Sequence, residues 1–400
     1  MSVMPESAFV EARPASSRLR RGVLWWRESS GSVADLGVLI PIAVALIVAN
    51  GLSATAVLLP AGLLYLVVAW VYRVPVAVQP LKAFGAIAIA AGVGVDVIAA
   101  GALLMGLVFL ALGGLGVLDR VAALFPVAVI RGVQLTVGPL FFKIGWGLIA
   151  HPPTTFVDQA AGWWVPVLAA VLVLGLLVLR SWIVLPLVVA GVVVAVLAAG
   201  DLWAWGPSPI SMPTLSWPAF ATAAVLLVIP QVPLTCANSC LAPADAARAY
   251  FGDEAVRVTP NRLAGTLGGA NIFAAAIGGM PVCHGAGGMS AHYVFGARTW
   301  RAPIVIGVLL TGMAVAVGAA LAEVLPAFPL PVLAAMLAVA GVAHVLLLRD
   351  VNSWRAWSVV ILIGVLGVTW NLAGAVLLGL AVWWAGNLLQ RRRGGWQGTG

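Results

Sequence analysis

Two short stretches carry the residue types that an anion site needs. The first is Gln79-Pro80-Leu81-Lys82 and the second is His284-Gly285-Ala286-Gly287-Gly288. Lys82 offers a cation and Gln79 an amide donor. Gly285, Gly287 and Gly288 let an oxyanion come close to backbone N–H groups. Gln231, Thr235 and Asn238 are spaced by four and three residues, which puts all three on one face of a helix. That polar stripe could line a site or could bond neighbouring helices together. His284 could donate to an anion, carry a coupling proton, or simply be hydrogen-bonded within the fold. Arg131 and Gln134, three apart, could add donors from another helix. Asp35 could form a structural ion pair with Lys82 or take part in coupling, and the two roles are compatible. His292 follows His284 by two helical turns, too far to share its site. Cys236, Cys240 and Cys283 lack a fourth ligand at a metal-binding spacing, so no metal site is expected.

These residues sit in a chain that belongs in a bilayer. Of 400 residues, 62% are hydrophobic and 8% charged, against about 25% charged in soluble domains. Mean hydropathy is +1.10. Soluble enzymes, nucleic-acid binders and disordered scaffolds are excluded. Apolar runs fall at about 33–50, 53–72, 80–94, 96–118, 123–149, 163–180, 182–199, 218–241, 262–279, 285–297, 301–324, 327–348, 354–370 and 372–389. Placing the N-terminus inside and letting each run cross in turn puts 18 of the 21 basic residues in inner loops. The other three, Lys82, Arg131 and Lys143, lie within apolar runs. The positive-inside rule then sets both termini in the cytoplasm of a multi-pass cell-membrane protein. No cleavable leader is expected, and the N-terminal tail is read as 1–32 and the C-terminal tail as 391–400.

Fourteen runs divide into seven plus seven. An odd number per half forces the halves into opposite orientations, an inverted repeat. The two runs too short to span, 80–94 and 285–297, occupy the third place in each half. Each follows an extended stretch marked by proline, Pro75 to Pro80 and Pro281. The expected architecture is an all-α polytopic protein of about fourteen segments with two half-helices. Their N-termini meet at mid-membrane depth and favour an anion there. The 17 tryptophans cluster near span ends as an interface belt.

Five motifs together resemble the molybdate transporter family, a distant branch of the sulfate permeases. They are Asp35-Leu-Gly37-Val-Leu-Ile-Pro41, Pro75-Val-Ala-Val-Gln79-Pro80-Leu-Lys82, Arg131-Gly-Val-Gln134-Leu, Pro230-Gln231-Val-Pro233-Leu-Thr235-Cys-Ala-Asn238-Ser239 and Pro281-Val-Cys283-His284-Gly285-Ala-Gly287-Gly288. The resemblance spans most of 30–390. It implies the inverted-repeat fold of uracil permease, with a core of about 33–118 and 218–324 and a gate of about 123–199 and 327–389. As in the molybdate branch, no C-terminal regulatory domain is expected.

The function expected is secondary import of a tetrahedral oxyanion, molybdate first, by alternating access between the half-helices. Sulfate transport or an anion channel on the same fold is the alternative. Nucleobase symport is disfavoured because 220–241 and 278–298 hold no Asp or Glu. An intramembrane enzyme is disfavoured because no zinc or serine constellation is present. No cofactor is expected. The partners are the oxyanion, a coupling proton, the lipid bilayer and a second copy in a homodimer.

Overall fold

The computed structural model describes residues 17–122, 125–154, 156, 162–179, 182–199, 204–370 and 372–394. Helix α1 (Ser17–Ser32) passes through a 3-10 turn at Val33–Asp35 into α2 (Leu36–Val48). Then come α3 (Ala54–Tyr72), strand β1 (Gln79–Pro80), α4 (Lys82–Ala90), α5 (Val95–Gly114), α6 (Val117–Ala122) and α7 (Val127–Ala150). Next are α8 (Trp164–Leu179), α9 (Val184–Ala199), α10 (Trp217–Ala223), α11 (Ile229–Thr235) and α12 (Ala242–Phe251). Then follow α13 (Pro260–Ala276), β2 (Val282–Cys283), α14 (Ala286–Val294), α15 (Arg301–Ala316), α16 (Leu321–Val324), α17 (Leu330–Val345), α18 (Trp354–Thr369) and α19 (Leu372–Gly394).

Each apolar run of the sequence contains a helix. Among the described residues, four helical stretches are long and apolar enough to cross a membrane alone: Gly22–Val48, Ala54–Tyr72, Val95–Gly114 and Val127–Ala150. A fifth, Arg301–Ala316 with Leu321–Ala327, is bent by 115°. The outer faces stay apolar, with Val171, Leu174 and Val178 of α8 exposed. Lipid, not water, suits such a surface.

The N-terminal boundary differs from expectation. Residues 17–32 form a helix packed against α9, α14 and α15. Glu28, Ser30 and Ser32 are buried. The segment read as a tail is therefore part of the packed body from its last turns, where Glu28 accepts from the Arg298 and Thr299 N–H groups. Residues 1–16 and 395–400 of the two expected tails lie outside the described residues.

Helix contacts recur when the halves are exchanged. α5 packs on α13 as α15 packs on α3, and α8 packs on α17 as α18 packs on α7. α7 and α17, which exchange with each other, also pack together. The same chemistry makes the first two contacts. Gly106 and Gly268 face each other between α5 and α13, as Gly62 and Gly307 do between α3 and α15. A Cβ at Gly268 would lie 2.5 Å from the Leu110 backbone N and 2.9 Å from the Gly106 carbonyl oxygen. Small residues let helix backbones approach where lipid offers no hydrophobic drive between helices.

Gly269, the next residue, has no heavy atom within 4 Å of an added Cβ. Gly268→Ala is expected to cost about 1–3 kcal/mol through overpacking. Gly269→Ala should leave stability unchanged or raise it by up to about 1 kcal/mol through helix propensity. Thermal unfolding in detergent compares them, and equal shifts would contradict this helix interface.

Candidate functional site

The two half-helices are joined end to end by their strands. β1 and β2 pair antiparallel with Gln79 opposite Cys283 and Pro80 opposite Val282. The Leu81 N–H donates to the Pro281 carbonyl at 3.1 Å. Extended backbone this deep must find every partner inside the protein. Prolines keep both stretches out of helix. Asn271 of α13 holds the second strand on its other side: its Nδ2 donates to the Val282 carbonyl at 2.9 Å and its Oδ1 accepts the Val282 N–H at 2.7 Å.

α4 and α14 each run nine residues outward from this ladder. The first N–H groups of each helix have no intrahelical partner. At α4, the Phe84 N–H is taken by Gln231 Oε1 at 2.8 Å. Phe141 of α7 ties the two starts together. The Lys82 ammonium lies 4.7 Å from the centre of its ring, and a Cβ on Gly287 would be 2.7 Å from the same ring. The cation thus stands at the mouth of the other half-helix. Asp35, Phe141, Gly287 and Gly288 line a small gap beside the start of α14 that is too tight for a water molecule.

The two short glycine approaches at α14 have a steric cause. Gly285 lies so close to Gln79 Oε1 that a Cβ could not be placed. A Cβ on Gly288 would be 2.5 Å from Asp35 Oδ1 and 2.6 Å from Gln79 Nε2. The start of α14 is thus threaded against the Gln79 and Asp35 side chains.

The remaining candidates divide. Gln231 Nε2 donates to Thr235 Oγ1 at 2.9 Å, so the Thr235 hydroxyl hydrogen is left for another acceptor. Gln79 Nε2 donates to Asp35 Oδ1, so the donor expected to face the anion is engaged. Its Oε1 and the Asn238 Oδ1 are buried acceptors without a partner among the described side chains. Such atoms mark places where water or a ligand group belongs. Asn238 follows a change in helix pitch, since Cys236–Leu241 is wound as a π-turn. The expected 3.6-residue register therefore ends at Thr235, a departure common at functional sites. No ion pair joins Lys82 to Asp35 among the described residues.

His284 and Gln134 lie apart from the half-helix mouth. His284 Nδ1 is 3.1 Å from the Ala77 carbonyl and Nε2 2.8 Å from Thr266 Oγ1, with the Tyr72 hydroxyl 2.7 Å from Thr266 Oγ1. Both ring nitrogens thus bind the β1 approach to α13. Gln134 Oε1 accepts from Arg131 Nη1 at 3.0 Å, and its Nε2 donates to Asp245 Oδ2 at 3.3 Å. Arg131 pairs with Asp245 of α12 and, through two nitrogens, with Asp350. The Arg131 guanidinium holds the Asp350 carboxyl below the usual carboxylate range. Gln134 belongs to this ionic tie between α7, α12 and the turn after α17.

Tyr65, Asn271, Phe141, Asp245 and Asp350 escaped the sequence reading. Asn271 could have been noticed as an amide in an apolar run; the others carry no local signal. A cavity of about 520 Å³ lies elsewhere, lined by Leu39, Leu58, Val192, Leu310 and other apolar side chains. Its lining is almost wholly apolar and unsuited to an oxyanion.

Comparison with known proteins follows the same lines. Residues 27–141 and 223–343 match the family described as "Molybdate transporter of MFS superfamily". Molybdate transporter 1 of Chlamydomonas reinhardtii is 30% identical, covering 86% of this chain and 87% of that protein. Molybdate transporter 1 of Arabidopsis thaliana is 28% identical, over 82% of this chain and 80% of the relative. Among solved structures, the transmembrane domain of the cyanobacterial bicarbonate transporter BicA has a TM-score of 0.53 at 19% identity, covering 92% of this chain and 98% of that one. SLC26A9 has a TM-score of 0.60 at 14% identity, covering 96% and 73%. At these identities the structures share the fold.

Asn271→Leu should leave the Val282 N–H and carbonyl unpaired at about 1–3 kcal/mol each. A clear fall in the unfolding midpoint in detergent is expected. An unchanged midpoint would show that β2 is held by the β1 pairing alone.

Proposed function

The chain belongs to the molybdate transporter family, and on that premise we propose that it imports a tetrahedral oxyanion, molybdate foremost, by alternating access. The observation that carries this is the placement of the Lys82 ammonium and the glycine-rich start of α14 on one phenyl ring, Phe141. A dianion leaving water must regain both charge and hydrogen bonds. Lys82 supplies a positive charge, and two helix N-termini supply N–H groups with favourable dipoles. Thr235 adds a hydroxyl hydrogen, while Gln79 and Gln231 fix the half-helices that present these donors. Asn238 and the three glycines complete the proposed binding set, while His284 and Gln134 touch no anion and act only by holding the β1 approach and Arg131.

In this reading the fourteen segments form a seven-plus-seven inverted repeat in the bilayer, with α4 and α14 crossing it only together with the extended stretches that precede them. Both termini lie in the cytoplasm, in keeping with the basic inner loops. The core is about 33–118 and 218–324, and the gate about 123–199 and 327–389. Arg131 on the gate and Asp245 on the core then form a tie on the cytoplasmic side, and opening inward requires that it break. The site itself moves little: the gate carries Phe141 away from half-helices that the strand pair keeps together. Buried ion pairs are suited to marking one of two states in this way, because one partner alone is costly.

Equilibrium binding of molybdate to purified protein, with sulfate and uracil as competitors, tests the substrate. Molybdate binding that sulfate weakly displaces and uracil does not displace is expected. Failure of every tetrahedral oxyanion to bind would overturn the reading. A charge-assisted hydrogen bond contributes about 1.5–3 kcal/mol, so Lys82→Ala should weaken binding roughly ten- to a hundredfold while the protein still folds. Wild-type affinity in that variant would remove Lys82 from the site.

A further inference from the structure

Asp35, Tyr65 and His292 make a buried chain of hydrogen bonds that is one hydrogen short in its ordinary ionisation. Asp35 ends the 3-10 turn between α1 and α2, Tyr65 lies on α3, and His292 lies in the last turn of α14. Each is 1% exposed or less. The Tyr65 hydroxyl oxygen is 2.9 Å from Asp35 Oδ2 and 3.2 Å from His292 Nε2. His292 Nδ1 is 2.6 Å from the Gly31 carbonyl oxygen.

A carbonyl oxygen only accepts, so His292 Nδ1 carries a hydrogen. Tyr65 has one hydrogen for its two side-chain neighbours, and its oxygen also accepts from the Val78 N–H. If it donates to Asp35, then Nε2 must donate to Tyr65, and the ring is an imidazolium beside a carboxylate. If it donates to Nε2, Asp35 must be the carboxylic acid that donates to Tyr65. Both arrangements hold one proton more than an ionised Asp35 with a neutral His292. Both leave the cluster with no net charge. Remove that proton and two lone pairs face each other across one of the contacts, with a net charge of −1 in a dry interior.

We propose that Asp35, Tyr65 and His292 together form the proton-binding site of this transporter, filled by one proton when the oxyanion binds. The site is joined to the proposed anion site at two points. Gln79, the residue before α4, donates to Asp35 Oδ1. Gly288, at the start of α14, lies against the same oxygen. The two forms of the protonated chain interconvert without any further reactant. The Nε2–H bond breaks as an O–H bond forms at Tyr65, and the Tyr65 hydrogen passes to Asp35 Oδ2. Loss of the proton places a negative charge beside the oxyanion, so anion and proton favour each other's binding by the same factor. The inference rests on the oxyanion reading above.

The surrounding charges are few. Lys82 at the start of α4 and Cys283 on β2 face the chain. α2 and α9 contribute no titratable side chain, and α17 none among its described side chains. On α1, Glu28 is turned to the Arg298 and Thr299 N–H groups. On α12 and α7, Asp245 and Arg131 are paired with each other, Arg248 and Lys143 are exposed, and Tyr250 donates to Ser290. Arg262 and Arg301 lie in the first turns of α13 and α15, and Arg73 caps the far end of α3. His284 offers a contrast. Nδ1–H to Ala77, Thr266 to Nε2 and Tyr72 to Thr266 satisfy every contact with a neutral ring. The supernumerary proton belongs to the Asp35, Tyr65 and His292 chain, not to His284.

Calorimetry of molybdate binding in buffers of different ionisation enthalpy counts the protons taken up. Wild-type protein is expected to take up close to one proton per molybdate at neutral to mildly alkaline pH, where affinity falls as pH rises. Asp35→Asn and His292→Gln should abolish that uptake and flatten the pH dependence. Tyr65→Phe, the most conservative change, should reduce both. His284→Gln should leave the proton count unchanged. Binding with no proton uptake in the wild type, or wild-type uptake in Asp35→Asn, would overturn the proposal. Failure of molybdate to bind would fault the oxyanion reading instead. The proton site is then read directly from acid-minus-alkaline infrared difference spectra of the ligand-free protein. Carboxyl and imidazole bands lost in Asp35→Asn and His292→Gln, and altered in Tyr65→Phe, are expected. A spectrum that these variants leave unchanged would rule the site out.

Discussion

Backbone groups buried in an apolar interior must pair with other protein groups, and here two strands of two residues pair with each other. That antiparallel ladder decides most of what surrounds it. It fixes the starts of α4 and α14 relative to one another. It brings Gln79 to Asp35 and Cys283 to the Pro80 carbonyl. The prolines that exclude helix also leave carbonyl groups without ladder partners, so side chains supply bonds, Asn271 from α13 and His284 from the stretch between β2 and α14. The proposed anion site would therefore rest on backbone that lipid alone could not satisfy.

The polar residues near the ladder have two kinds of task. Gln79, Gln231, Asn271 and His284 are engaged with the protein and hold its parts in place. Lys82 and Thr235 keep a charge or a hydrogen that the protein does not use up. This division explains how a region so dry can hold so many polar groups: each fixed residue satisfies a buried backbone or carboxylate atom. In the proposed reading it also separates binding from coupling: the anion site would draw on helix N-termini, while the Asp35, Tyr65 and His292 chain lies on the α1, α3 and α14 side of Gly288.

The Arg131 cluster has a different physical character. Its charges sit where α7, α12 and the turn after α17 converge, and Asp350 is half exposed. Solvent can reach one member, so the cluster can be broken at lower cost than a sealed pair. A gate needs such a contact. The strand ladder, sealed and satisfied, is suited to staying intact.

Hydropathy, basic-residue asymmetry and the matching places of 80–94 and 285–297 determined the membrane class, the helical segments and the two half-helices. These follow from the bilayer's thickness and from the rule that lipid satisfies no polar group, both of which act on sequence directly. Lys82 and the glycines of 285–288 were legible for the same reason, being costly or conspicuous in an apolar chain. Partners were not legible. Spacing predicted Asn238 in register with Gln231 and Thr235, but a π-turn intervenes, and winding of that kind is set by packing. His292 appeared too far from His284, and Gln134 appeared free to face the anion. Only the tertiary structure brings Tyr65 between Asp35 and His292, residues 30 and 227 positions from it in the chain, and turns Gln134 to Arg131. A sequence records which groups need a partner; which group meets which depends on how helices distant in the chain pack together.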